Sequence, residues 1–230
     1  MGGMGEKGKS HMYELVDEAV CKRYRLDCSS TLKTVCSMLK EKEEISTQFT
    51  LVGSGARNMV TKNGNGPFDL DYNLEIIKAP DQYWEDLRFL KDTIRRFLDR
   101  AAGLQCFSNS SDSTSCLTAM LHFKDEPRVE FSFDVAILAR NRNGNLCRLI
   151  HNKNAWGYGQ DQYVWNEIPN SCDVAKKAKR IKEEGRWIDV RCQYVNLKNL
   201  YLSRPWDKEH PSFILYIEAV NNVYNQLFYQ

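Results

Sequence analysis

The chain has 230 residues and a formal charge of only +2. That length supports one good core, or two small lobes around a shared cleft, and so small a net charge demands no nucleic-acid partner. No run approaches the ~20 apolar residues of a membrane span. The eight cysteines form no C-x-x-C pair and no Cys/His zinc spacing, so they read as reduced thiols of a cytoplasmic protein, several of them buried.

In chain order, residues 1–12 are rich in Gly and Lys and lack the apolar stretch of a signal peptide, so they read as a flexible leader outside the fold. Helix spacing over Tyr13–Tyr24 predicts a first helix (Leu15, Val16, Ala19, Val20). A second is predicted after the N-cap candidates Ser29 and Ser30, running through Leu32, Val35, Cys36 and Leu39. Phe49–Val52 is β-rich and ends at Gly53, and Ser54–Phe68 is loop-like. From Asp69 to Ile77 the pattern alternates, with Leu70, Tyr72, Leu74 and Ile76 on one face and Asp69, Asp71, Asn73 and Glu75 on the other. A helix follows over Asp81–Ala102, then a Ser-rich loop. Strands are predicted over Cys116–Phe123 and Arg128–Leu138, joined as a hairpin by 124–127. Asn143-Gly144 predicts a two-residue turn into a strand over Leu146–Ile150. Beyond Asn152 the pattern turns helical: 173–184, 186–202 and 213–228, interrupted by Pro205 and Pro211. The expectation is therefore α+β, a mixed sheet with flanking helices (13–152) followed by a C-terminal helical lobe (153–230). The chain ends inside an apolar helical segment, which leaves a longer C-terminus open.

The chemistry concentrates in three places. Gly53-Ser54 ends a strand, Asp69-Leu70-Asp71 opens the next, and Asp134 lies on the polar face of a later one. Residues i and i+2 of a strand project together. Two carboxylates so placed repel unless a cation lies between them. Hard oxygen donors of this kind suit Mg²⁺, and a third carboxylate from a neighbouring strand can bridge to a second ion. Gly53 permits close backbone approach, and Ser54 offers a hydroxyl and an N–H to a phosphate. Glu130 shares the face of Asp134 and is the alternative ligand.

This order of elements resembles the polymerase-β-like nucleotidyltransferase superfamily. The likeness implies the fold of that superfamily, with Asp69 and Asp71 on Mg²⁺ and Asp134 on a second metal, where it activates an acceptor hydroxyl. Two Mg²⁺ ions are implied, with Mn²⁺ as a substitute, and Gly53 and Ser54 would hold a triphosphate. A weaker likeness links Leu197–Leu200 and Pro211–Leu215 to the carboxyl-terminal helices of the oligoadenylate-synthase-like branch, which includes the bacterial cyclic-oligonucleotide synthases. It implies that Lys198 and Ser212 approach the nucleotide. The fourteen residues between Ser54 and Asp69 exceed the usual gap, which leaves product and acceptor open.

The implied activity is NTP-dependent nucleotidyl transfer, with ATP or GTP as donor and pyrophosphate as product. The acceptor is a nucleotide, an RNA, a small molecule or a protein hydroxyl. The alternative is a catalytically inactive nucleotide-sensing or interaction module of the same fold. Arg57 and Lys62 read either as phosphate clamps or as solvated loop charges. The basic run Lys176, Lys177, Lys179, Arg180 and Lys182 reads first as a solvated helix face and second as a polyanion patch. His11, His122, His151 and His210 show no catalytic or metal spacing. Trp156, Tyr158, Tyr163, Trp165 and Trp187 read first as packing aromatics between lobes and second as a base-stacking platform.

Overall fold

A computed structural model describes residues 12–124, 126–153, 161–169, 172–202 and 210–229. The chain divides into two compact units, one of Val16–Val60 and Pro67–Asn170, the other of Met1–Leu15, Thr61–Gly66 and Ser171–Gln230.

The first unit is built on a sheet that runs β2 (Ser46–Val52), β4 (Phe68–Lys78), β7 (Val129–Arg140), β6 (Leu117–His122), β5 (Ser111–Asp112). β8 (Leu146–Asn152) pairs with the far end of β7, and β9 (Gln162–Glu167) with β8. β4 and β7 are parallel and the other pairs antiparallel, so the sheet is mixed as expected. Alternation along β4 buries Leu70, Tyr72, Leu74 and Ile76, and along β7 it buries Phe131, Phe133, Val135 and Ile137.

Two helices add their stripes to that core: α1 (Glu18–Glu43) through Tyr24, Leu32, Val35 and Leu39, and α4 (Leu87–Gly103) through Leu90, Ile94, Phe97 and Leu98. Each such side chain contributes about 1.5–3 kcal/mol on full burial. The remaining helices of this unit are short, α2 (Gly53–Ala56) and α3 (Asp81–Glu85).

The second unit pairs β1 (Tyr13–Leu15) with β3 (Thr61–Asn63) and packs α5 (Cys172–Glu183), α6 (Trp187–Tyr201) and α7 (Ser212–Phe228). Val190, Tyr194, Leu197, Leu215, Ala219, Val220 and Val223 are buried there.

The sequence expectations need four corrections. Tyr13–Leu15 is strand, and the helix begins after Asp17, whose carboxylate caps Ala19 and Val20 at 2.8 and 3.2 Å. Ser29 and Ser30 cap nothing: Cys21, Tyr24, Cys28, Leu32, Val35 and Leu39 keep one apolar stripe running, so α1 is a single 26-residue helix. The stretch after Ser54 holds α2 and β3 rather than loop alone. Asp86 breaks the 81–102 helix, accepting a bond from the Phe89 N–H at 2.9 Å to start α4 afresh. Beyond residue 152, β9 continues the sheet within the first unit. Pro205, Trp156, Tyr158 and the leader through His11 lie outside the described residues.

Candidate active site

β4 and β7 run side by side with Asp71 opposite Asp134 and Asp69 opposite Ser132. One carboxylate oxygen from each of Asp69, Asp71 and Asp134 lies within 4.8 Å of the others. Asp69 is exposed and the other two are half-buried. Antiparallel pairing sets Val52 beside Asp71, so the turn that leaves β2 meets the same carboxylates. Gly53 adopts φ +61°, and a Cβ there would stand 2.2 Å from Asp71 Oδ2. Only glycine accepts both the left-handed backbone and that approach.

The electrostatics follow from this crowding. The Asp71 carboxyl is pushed up to about 6, first by burial and then by the negative charges of Asp69 and Asp134. Arg148 and Arg57 pull it down only in part. Thr118, the cross-strand partner of Asp134 on β6, donates from Oγ1 to Asp134 Oδ1 at 2.5 Å. The hydroxyl fixes that carboxylate through Oδ1, and the Cys116 thiol is a second side-chain hydrogen-bond partner of Asp134. Three oxygen donors on two adjacent strands, with unbalanced negative charge, fit a hard divalent cation such as Mg²⁺. Thiol and imidazole groups are absent from the set, so a soft metal has no claim on it.

No protein-family model and no curated protein matches the chain. Solved structures do match. The CD-NTase CdnG of Bradyrhizobium diazoefficiens, solved in complex with GTP, aligns over 92% of this chain and 67% of its own, with TM-score 0.55 and 14% identity. CdnC of E. coli MS115-1, solved with ATP, aligns over 92% and 62%, with TM-score 0.53 and 17% identity. The STING-associated CdnE c-di-GMP synthase of Capnocytophaga granulosa aligns over 90% and 61%, with TM-score 0.57 and 14% identity. The chain has the CD-NTase fold. It spans between 61% and 67% of the length of these three structures.

On this CD-NTase fold the other sequence-derived candidates divide. Ser54 lies in α2 and Arg57 ends it, and Arg57 is near enough to act on Asp71. Lys62 pairs with Glu14 across β1 and β3 at 3.0 Å. Glu130 accepts a hydrogen bond from the Tyr24 hydroxyl and stands outside the carboxylate group. Lys198, on α6 of the second unit, is buried and donates to Thr61 Oγ1 at 2.7 Å, with its ammonium near the Tyr13 and Tyr194 rings. Ser212 is the exposed first residue of α7.

The basic run on α5 is largely spent on packing within its own unit. Lys177 donates to Asn221 at 2.6 Å, Arg180 lies over the Phe228 ring and Lys182 over Trp187. Trp165 stands beside Trp84, and His151 is clamped between two carboxylates.

Sequence reasoning passed over Thr118 and Arg148. Thr118 was reachable in principle, by counting back from Asp134 through the hairpin, but a register shift between Leu121 and His122 spoils the count. No helix among the described residues is long and apolar enough to cross a membrane.

Proposed function

We propose that the protein is a divalent-metal-dependent nucleotidyltransferase that moves a nucleoside monophosphate from an NTP to an acceptor hydroxyl. The observation that carries this reading is the convergence of Asp69, Asp71 and Asp134 within 4.8 Å, beside a glycine whose backbone touches Asp71. The CD-NTase structures solved with GTP and with ATP support an NTP as donor.

Asp69, Asp71 and Asp134 would hold Mg²⁺, or Mn²⁺ in its place. Bound there, two such ions supply charge neutralisation at the α-phosphate and at both the attacking and leaving oxygens. Gly53 brings backbone close to the phosphates, and the Ser54 hydroxyl and Arg57 guanidinium bond to their oxygens. The Asp134 carboxylate, held in place by the Thr118 bond to Oδ1, takes the proton from the acceptor hydroxyl. The acceptor oxygen–α-phosphorus bond forms as the bond to the β-phosphate oxygen breaks, and pyrophosphate leaves. Positioning and charge balance dominate such a step.

The test is pyrophosphate release from ATP and GTP with and without Mg²⁺. The Asp69→Ala/Asp71→Ala protein should lose the Mg²⁺-dependent rate by about a thousandfold or more. A rate that survives the double substitution rejects the metal assignment. Nucleotide binding without any release would replace the enzyme by a nucleotide-sensing module of the same fold.

A further inference from the structure

The turn that carries Ser54 and Arg57 cannot hold its own orientation. α2 is four residues long. So short a helix is unstable alone, because its first turn fixes several residues for a single hydrogen bond and leaves its last carbonyls without helical partners. Its seat on the sheet is tight: a Cβ at Gly55 would stand 2.9 Å from Leu51 Cδ1 on β2 and from Leu70 Cδ2 on β4. That contact sets how close the turn lies to the strands, not which way its ends point. Within the turn, the Arg57 and Met59 N–H groups share the Ser54 carbonyl at 3.2 and 2.9 Å, and the Asn58 N–H reaches the Gly55 carbonyl at 3.4 Å.

A stronger bond comes from α1. Arg25 Nη2 donates to the Gly55 carbonyl at 2.6 Å and to Asn58 Oδ1 at 3.1 Å. Asn58, in the left-handed region at φ +61°, in turn donates from Nδ2 to Glu18 Oε1 at 3.1 Å. Glu18 and Arg25 are two helical turns apart, so one face of α1 grips the carbonyl end of α2 at two points. The mount is firm, because Cys21, Tyr24 and Cys28 of α1 are buried in the core beside it. The other end of the turn is Gly53, which touches Asp71, while Arg57 acts on Asp71 from the gripped end. The carboxylates themselves come from β4 and β7 and owe nothing to α1.

We propose that Arg25 is a positioning residue, which holds α2 so that the Ser54 hydroxyl and the Arg57 guanidinium face the triphosphate. It touches neither substrate nor metal. The metal site and the phosphate grip thus rest on separate supports, strands for the first and α1 for the second, and Arg25 serves the second alone. Asn58 extends the same clamp to Glu18. This inference rests on the nucleotidyltransferase reading, which supplies the triphosphate, and names the residue that sets the grip on it.

The experiment pairs two titrations of the folded protein. One follows α,β-methylene-ATP with Mg²⁺ by calorimetry, and the other follows Mn²⁺ without nucleotide by electron paramagnetic resonance. Arg25→Ala should bind α,β-methylene-ATP about tenfold more weakly than wild type and keep its Mn²⁺ affinity within about twofold. Arg25→Lys, which keeps a charged donor but not the fork, should recover part of the nucleotide affinity. Asn58→Gly keeps the left-handed backbone, removes the link to Glu18 and should cost about threefold. A merely structural role would lower the midpoint of urea denaturation and leave the affinity of the folded fraction unchanged. Nucleotide affinity within about twofold of wild type in Arg25→Ala, or an equal loss of nucleotide and Mn²⁺ affinity, overturns the proposal. Pyrophosphate release by wild type and by Asp71→Asn tests the underlying reading separately. If Asp71→Asn releases pyrophosphate as fast as wild type, the nucleotidyltransferase reading fails; if only the effect of Arg25→Ala on nucleotide affinity is missing, the positioning role fails alone.

Discussion

Two groups of acidic side chains lie in the same unit and are treated in opposite ways. Around Asp112 the fold supplies the countercharges. Lys91, only 1% exposed, places Nζ 2.5 Å from Asp112 Oδ1, and His151 bridges Asp112 Oδ2 at 3.0 Å to Asp161 Oδ2 at 2.7 Å. The His151 ring is further fixed by stacking on Tyr163, with centroids 4.3 Å apart. Around Asp71 the fold brings three carboxylates together and offsets them only in part. Burial of a charge is tolerated when its partners are at hand. The first group therefore holds the edge of the sheet together, and the second retains negative charge, as the proposed metal site requires.

The comparison can be broken most forcefully at Lys91. Lys91→Met leaves Asp112, whose side chain is 13% exposed, with the imidazole as its remaining side-chain partner, and breaking so largely buried a pair from one side costs about 3–5 kcal/mol. Urea denaturation should show a loss of that order, and Asp112→Asn in the same chain should recover part of it. A loss below about 1 kcal/mol would mean that the Asp112 group is no better balanced than the Asp71 group.

Gly53 sharpens the contrast from the other side. Gly53→Ala adds a methyl 2.2 Å from Asp71 Oδ2 and forces φ +61° on a residue with a Cβ. Strain of that kind costs about 1–3 kcal/mol. The carboxylate must also turn away, so Mn²⁺ affinity read by electron paramagnetic resonance should fall together with stability. Unchanged Mn²⁺ binding would uncouple Gly53 from the cluster.

The carboxylate group was legible in the sequence because it needs only period-two alternation. Asp69 and Asp71 share a face by spacing alone, and the parallel β4–β7 pairing then aligns Asp71 with Asp134. The Arg148 side was illegible for a specific reason. A two-residue turn centred on Asn143-Gly144 would set Arg148 opposite Ala139, on the core face. The structure instead closes a longer loop, in which Asn141 accepts from the Asn143 and Asn145 N–H groups at 2.9 Å and Arg140 pairs with Leu146. That one-residue change of register turns Arg148 to the carboxylate face. The Asp112 group was hidden differently, since it joins α4, β5, β8 and the approach to β9 through contacts far apart in sequence. β1 and β3 are short strands, and neither three-residue run carries enough alternation to be recognised alone.

The smallest expected effect separates the two groups by pH. The folded-state pKa of Asp71, about 6, is above its ordinary value of 3.8, so the metal-free folded protein binds that proton more tightly than the unfolded chain does. Its stability should therefore rise as pH falls through about 6 towards 4, and level off below both values. Above pH 6 the full repulsion is present. Asp71→Asn removes it and should stabilise the metal-free protein at neutral pH by roughly 1 kcal/mol, after allowance for solvent screening. Saturating Mg²⁺ should abolish the rise in wild type, because the cation then does what the proton did. Thermal melts in EDTA and in Mg²⁺ across this range measure all three. The same substitution that stabilises the empty protein should remove pyrophosphate release. Such an opposition is expected where charge repulsion is kept for a ligand rather than for the fold. If Asp71→Asn instead destabilises the metal-free chain at neutral pH, the carboxylates are already balanced within the protein, and the distinction between the two acidic groups disappears.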